Sequence, residues 1–277
     1  MTPVTENLQH SSVGNRPANV TQLHRPTVQW KTVEKEKLLS TYKPISDYGI
    51  IGDLKTCALV GIDGSIDWFC APRFDSSSVF GALLDRKLGG HFQISPAAET
   101  FQAAQSYEPL TNILITDFSL DSGRVSLTDF MPCFKFAGQV VSAGEIHRIL
   151  HCQSGRMDIE VRLKPRFNYG SVVPEIGSVK QVGYSFISPD PAIRQELSFL
   201  TDAEFLEVEK GTLYAVMRMK RGDKLEFVLR SGGARKEQYN SQFSKIKHKE
   251  TKNFWKRWAL KCKYEGKWKD QVIRSAL

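Results

Sequence analysis

From Pro44 to about Asn240 the chain alternates apolar and polar residues in short runs, each closed by a turn signal. The runs at 91–94, 101–107, 112–120 and 124–130 predict strands, with Asp121-Ser122-Gly123 turning the last two into a hairpin. Residues 146–152 and 157–163 predict a second hairpin across Ser154-Gly155, and 204–209 with 213–219 a third across Lys210-Gly211. Further strands are expected at 178–187 and 225–230. Many short strands joined by tight turns, with no helices long enough to act as crossovers, predict a mainly β fold: a large antiparallel β-sandwich.

The densest stretch is residues 61–85, GIDGSIDWFCAPRFDSSSVFGALLD. The run CALVGI leads into it, and beyond Asp63-Gly64 the residues Ile66, Trp68 and Cys70 alternate with Asp67 and Phe69. An Asp-Gly pair between two such runs predicts a hairpin with a type I′ turn. Pro72 ends the second strand because it has no N–H for a ladder. Ser76, Ser77 or Ser78 can then cap a short helix whose apolar face is Val79, Phe80, Leu83 and Leu84.

After Ser231-Gly232-Gly233 the period lengthens. Phe243, Ile246, Glu250, Phe254 and Trp258 lie three or four apart, which predicts a helix over most of 241–261 with one mostly apolar stripe. Gly266 breaks it, and Trp268, Val272 and Ala276 open a second amphipathic helix with no stop signal after it. At the other end, residues 1–43 are polar and Pro-containing without a sustained period and read as a disordered extension, with room for a short helix near 32–39. The expected organisation is therefore an extension over 1–43, a sandwich over 44–240, and over 241–277 a linker helix followed by the start of a helical domain.

Composition changes this picture little. A chain of 277 residues, 41% hydrophobic, can bury a sizeable core. The net charge of +8 resides in residues 245–277, where three tryptophans sit among the lysines at helix-packing spacings. That placement favours a solvated helix face over a nucleic-acid surface, and no nucleic-acid partner is expected. Five dispersed cysteines without a CxxC pair argue against a disulfide framework, and no signal-peptide core or membrane-length apolar run occurs. A cytoplasmic protein with reduced thiols and no membrane association is expected.

The stretch 61–85, with ISDYGIIGDLKTCALV just before it, LTDFMP at 127–132, LKPRFNYG at 163–170 and FWKRWALKCKYEGKWKDQVIRSAL at 254–277, resembles the amino-terminal domain of trehalase-like and glucoamylase-like enzymes of glycoside hydrolase family 15. The matching blocks run in order through all but the first forty-odd positions. The resemblance implies a supersandwich fold followed by a linker and the first helix of an α/α barrel, and a parent enzyme that hydrolyses α-glucosides with inversion. One block departs from the family: Asn168 stands where the family usually carries Asp.

Inverting hydrolysis needs a protonated carboxyl and a carboxylate base about 6.5–9.5 Å apart. In the family both are glutamates on barrel loops beyond residue 277, so no catalytic residue is assigned here and this chain alone is expected to be inactive. Asp67 and Asp75 are the only carboxylates of the 61–85 stretch that turn chemistry leaves unexplained. Two loops both begin Pro-Arg-Phe, and they supply the candidates for a substrate cleft: Arg73 and Asp75 as hydroxyl-binding groups, Arg166 in the second loop, and Trp68 and Tyr169 as platforms for a pyranose face. The commoner outcome for such loops is that the arginines pin them through neighbouring carboxylates and that Trp68 is core. His147 and His151 have the spacing of a helical metal pair but fall in a strand-like run, and they read as ordinary strand residues; no cofactor or metal is expected. Two functions remain open: a non-catalytic domain that shapes the cleft of a barrel in the same polypeptide, its α-glucoside partner bound only with that barrel, or a free-standing carbohydrate-binding or protein-interaction module.

Overall fold

A computed structural model describes residues 29–179, 183–233 and 243–277. Two antiparallel sheets face each other across one contiguous apolar core. In the first sheet the strands follow the order Lys31–Glu34, Thr100–Tyr107, Leu114–Leu120, Gly123–Phe130, Glu145–Lys164, Lys224–Ser231, Glu196–Leu200, Gly183–Ile187 and Glu175–Val179. In the second the order is Tyr48–Gly52, Cys57–Gly61, Ser65–Cys70, His91–Pro96, Glu145–Lys164, Thr212–Lys220 and Leu206–Glu209. The β-sandwich expected from the alternation is present. Strand His91–Pro96 shows why: Phe92 and Ile94 are fully buried while His91 and Gln93 point to the outer face. Phe92 meets Phe199 of the other sheet edge-to-face at 5.6 Å.

Glu145–Lys164 belongs to both sheets. The sequence predicts a hairpin across Ser154-Gly155, but the strand runs straight through, with a register shift between Cys152 and Ser154. Gly155 takes a φ of 64°, and a Cβ there would lie 2.0 Å from the Ser122 carbonyl oxygen. The bulge between Cys152 and Ser154 and the left-handed glycine just after it carry the strand from one sheet to the other instead of reversing it. The neighbouring hairpin bends at the same level, where the Arg221 and Gly222 amides donate to the Gly155 and Cys152 carbonyls.

Three other expectations need correction. Ordered chain begins before Pro44: Lys31–Glu34 pairs with Thr100–Tyr107, because Val33 can be buried against that sheet edge, and Lys35–Ser40 is a short helix. Residues 1–28 lie outside the described part. At Asp63-Gly64 only Gly64 has a positive φ (77°), so the turn is not type I′. Asp63 instead stays right-handed and accepts a bond from the Ser65 amide through Oδ1, and a bulge between Leu59 and Val60 absorbs the extra residue. Residues 79–84 form no helix; Ser78–Phe80 is a fully buried strand on the edge of Ser65–Cys70, since Val79 and Phe80 gain more from the core than a one-turn helix would give them.

Helix Phe243–Ala259 forms as the period change predicts, but its buried face only partly follows the expected stripe. Phe254 of that stripe is buried, together with Ser244, Thr251, Trp255 and Ala259, whereas Ile246 is 53% exposed. Ser244 Oγ meets His147 Nδ1 at 2.9 Å and Thr251 Oγ accepts from the Cys133 amide, so two small polar residues bring the helix close and Trp255 fills the remaining space. The second helix, Lys269–Ser275, buries Ile273, and Arg274 lies over the Tyr107 ring while donating to the Thr111 carbonyl. Trp258 and Trp268 remain partly exposed. Among the described residues no helix is long and apolar enough to cross a membrane.

Two histidines, His147 buried and His91 half-buried on the outer face, have a consequence for pH. Burial pushes His147 below its ordinary value despite Glu145, and pushes His91 down to about 4. Both rings are neutral in the folded state and titrate near 6.5 when unfolded. The unfolded chain thus binds more protons below that pH, so their contribution to stability is complete above about pH 6.5 and is lost as the pH falls towards 4. Urea unfolding should show stability falling between about pH 6.5 and 5, by at most about 1.4 kcal/mol per pH unit for each ring. A slope that survives unchanged in both His91→Gln and His147→Gln would contradict this origin.

Candidate functional site

The two Pro-Arg-Phe loops, far apart in sequence, are neighbours in the fold. The first leaves strand Ser65–Cys70 through a cis Ala71-Pro72 bond. The Ser76 amide donates to the Arg73 carbonyl, Ser76 Oγ accepts from the Arg73 amide, and the Phe74 amide donates to the Lys55 carbonyl. The second follows strand Glu145–Lys164, and the Arg166 amide donates to the Val79 carbonyl. Two further links join them. Gln195 accepts from the Asn168 amide and donates to the Ser77 carbonyl, both at 3.0 Å, and Ser78 Oγ accepts from the Tyr169 amide at 3.1 Å.

This frame sets Trp68 against Tyr169 and leaves Arg73 and Asp75 on the linked first loop. Trp68 is half-buried, with its ring 6.5 Å from that of Tyr169, which is 56% exposed. Arg73 and Asp75 form a two-pronged ion pair, both contacts 2.9 Å, with side chains 67% and 57% exposed. Phe74 between them is 71% exposed. The pair shapes the tip without being buried, and an exposed pair of this kind contributes little to stability. An exposed fork on one loop and an exposed aromatic ring on the loop linked to it are groups suited to a polyhydroxylated ligand.

Arg166 is different. It is buried, and its guanidinium donates to the carbonyls of Pro165, Lys210 and Gly211, to Thr212 Oγ1 and to Glu209. Burial lowers its pKa while Glu209 opposes the shift. With both terminal nitrogens turned inward, it holds its loop against the 209–212 turn.

Asn168 and Tyr169 both take left-handed φ angles, 49° and 59°, and Gly170 follows at 88°. Asn168 Nδ2 donates to Ser171 Oγ, which in turn donates to the Asn168 carbonyl. Asn is among the few residues that tolerate this conformation, so at this departure from the family the side chain builds the turn that presents Tyr169.

Asp67 and Asp75 do not form an acid/base pair. Asp67 is buried: Lys43 Nζ lies 2.5 Å and Tyr48 Oη 2.7 Å from its Oδ2, and Ser65 Oγ 2.5 Å from its Oδ1. Lys43 also pairs with Asp63 at 2.8 Å. Burial disfavours its charge, but the two carboxylates outweigh that and raise its pKa. Burial likewise works against an ionised Asp67, yet Lys43, Ser65 and Tyr48 hold its carboxyl below the usual range, whereas for Asp63 burial prevails and pushes it up. Gln195, Ser78 and Lys43 are the positioning residues that sequence reasoning missed. Gln195 and Ser78 carry no motif, and Lys43 stands alone in a polar stretch. Among the described residues no three His, Cys, Asp or Glu side chains come together as a metal site.

Comparison with known proteins agrees with this architecture. The profile of the family described as trehalase-like, N-terminal, matches residues 22–252. A trehalase of Thermoplasma volcanium is 32% identical over 239 residues, covering 85% of this chain and 37% of that protein. Trehalase 1 of Sulfolobus acidocaldarius is 36% identical over 170 residues, 61% of this chain and 27% of its own length. A trehalase of Mycobacterium tuberculosis is 26% identical over 258 residues, 87% of this chain and 37% of its own. The chain thus spans little more than a third of the relatives it matches most fully. With a profile match over most of its length, and the fold and loop geometry described above, the chain belongs to the trehalase-like N-terminal domain family.

Proposed function

We propose that this chain is the non-catalytic amino-terminal sandwich of an inverting, family 15 glycoside hydrolase of the trehalase or glucoamylase type, and that its joined loops form one wall of an α-glucoside cleft. The other wall and both catalytic carboxylates would come from an α/α barrel in the same polypeptide, in the part of the trehalase relatives that this chain does not cover. The observation that carries the reading is that Gln195 and Ser78 lock the loop bearing the exposed Arg73–Asp75 fork to the loop that presents Tyr169, whose ring lies 6.5 Å from that of Trp68. Binding groups on a rigid frame are what a cleft wall requires. The five unpaired thiols support a cytoplasmic location.

In the barrel-containing enzyme, Arg73→Ala should lower kcat/KM about tenfold or more, equivalent to about 1.4 kcal/mol of transition-state binding. Its melting temperature should hardly move, because the ion pair it breaks is exposed. The 277-residue chain alone should release no glucose from trehalose, maltose or maltodextrin. Unchanged kinetics with a lowered melting temperature would make Arg73 a structural residue and remove the cleft-wall reading. Turnover by the isolated chain that is abolished by Asp75→Asn would place the chemistry in the sandwich itself.

A further inference from the structure

The outer face of the second sheet carries a cleft of about 660 Å³, a size typical of small-molecule sites. Its floor is made by outward-facing residues of two paired strands: His91 and Gln93, with Arg162 directly opposite Gln93. Lys35 stands on one wall and Arg86 on another.

Most of the charge around this cleft is already matched. Lys35 pairs with Glu160 at 2.6 Å, Lys164 with Glu209 at 2.6 Å, and Lys43 with Asp63 and Asp67. What remains unused is a mixed set of donors and acceptors. Neither the His91 ring nor the Gln93 amide has a hydrogen-bond partner among the described residues. Arg86 keeps one guanidinium nitrogen out of solvent without a partner. Among the described residues the Arg162 guanidinium has no hydrogen-bond or ion-pair partner, and it lies over the Tyr214 ring at 4.9 Å.

A neutral imidazole offers one donor and one acceptor, an amide two donors and an acceptor, and a guanidinium a fork of donors. Burial, reinforced by Lys43, Lys164 and Arg162, keeps His91 neutral against the pull of Asp67. Sugar hydroxyls donate and accept at once and can satisfy all of these together. An inorganic anion could meet Arg86, Lys87 and Arg162, but it would also face a neutral ring and the carboxylates of Glu99 and Glu160, and it would leave the donors and acceptors of His91 and Gln93 poorly matched. We propose that this cleft is a second carbohydrate site, which takes an uncharged mono- or disaccharide through His91, Gln93, Arg86 and Arg162. It does not depend on the loops facing a barrel, since none of these residues belongs to either loop.

The test uses the 277-residue chain, titrated in parallel with glucose, trehalose, maltose and inorganic phosphate while the His91 ring resonances are followed by NMR. Saturable shifts with at least one saccharide and none with phosphate are expected. Gln93→Leu and Arg162→Met should each weaken binding tenfold or more at an unchanged melting temperature. Tyr169→Ala in the second loop should leave it intact, which separates this site from the cleft wall. If Gln93→Leu fails to fold, Arg162→Met, on the exposed side of the strand, decides alone. Absence of saturation by any saccharide, competition by phosphate, or loss of binding in Tyr169→Ala but not in Arg162→Met would overturn the proposal.

Discussion

Replacing Arg148 by Ala should be the most damaging single change in the sandwich, costing about 3–5 kcal/mol. For a domain whose whole stability is about 5–15 kcal/mol, that brings it close to unfolding. Arg148 is fully buried between the sheets. It forms a fork to Asp129 on the adjacent strand, at 2.8 and 3.2 Å, and donates across the core to the carbonyls of Phe92 and Gly64 at 2.6 and 2.7 Å. Its guanidinium also lies 4.6 Å from the centre of the Phe92 ring. One side chain therefore satisfies a carboxylate of the first sheet and two backbone acceptors of the second. Burial alone pushes Asp129 upward, so without Arg148 the carboxyl would be protonated or would drag water into the core. The cost comes mainly from stranding Asp129 rather than from the worth of the pair, which the double variant checks. Arg148→Met combined with Asp129→Leu should be more stable than Arg148→Met alone in urea unfolding. Loss of less than about 1 kcal/mol in the single variant would show that the interior accommodates the orphaned groups, against the general expectation.

Period and turn chemistry were enough to read most strands, because one face of each is buried and alternation then records the fold directly. They misread Glu145–Lys164, since Gly155 signals a left-handed residue equally well for a hairpin turn and for a bulge, and only the partner strands decide between them. The buried face of helix Phe243–Ala259 was only partly read, Phe254 but not Ser244 or Thr251, for a similar reason. An apolar stripe marks what could be buried, but Ser244 and Thr251 were drawn inward by specific partners, the His147 ring and the Cys133 amide, that no local pattern encodes. At the loops, Trp68, Arg73, Asp75 and Tyr169 were legible because the Pro-Arg-Phe repeat sets them apart. The linking of their two loops was not, because it depends on Gln195 and Ser78, which are about 118 and 91 residues from the positions they hold. Lys43 escaped for a third reason: a lysine is expected in water, and only the three-dimensional convergence of Asp63 and Asp67 makes its burial tolerable.

Lys43→Met should likewise cost about 3–5 kcal/mol at neutral pH. Side-chain exposure is 2% for Lys43, 3% for Asp63 and 8% for Asp67, so water cannot replace the lost ammonium. The space is also fixed. A Cβ on Gly61 would stand 2.5 Å from Asp63 Oδ1 and 3.0 Å from Lys43 Nζ, so the turn offers no room for the carboxylates to separate. Methionine matches the lysine stem but brings no charge, leaving two carboxylates sharing one buried site, where at least one must take up a proton. The pH dependence follows from that. Asp67, held below its ordinary range in the wild type, contributes stability that is present above about pH 4 and lost as the pH falls through its lowered folded value. In Lys43→Met that contribution is absent and the remaining carboxyls prefer the protonated form, so the gap between variant and wild type should narrow on acidification. Adding Asp67→Asn to Lys43→Met should recover part of the loss, because the amide oxygen can accept from one of Tyr48 and Ser65 while its nitrogen donates to the other hydroxyl, with no charge to bury. Equal unfolding midpoints for wild type and Lys43→Met at neutral pH, or a deficit that grows as the pH is lowered, would rule out this account of the triad.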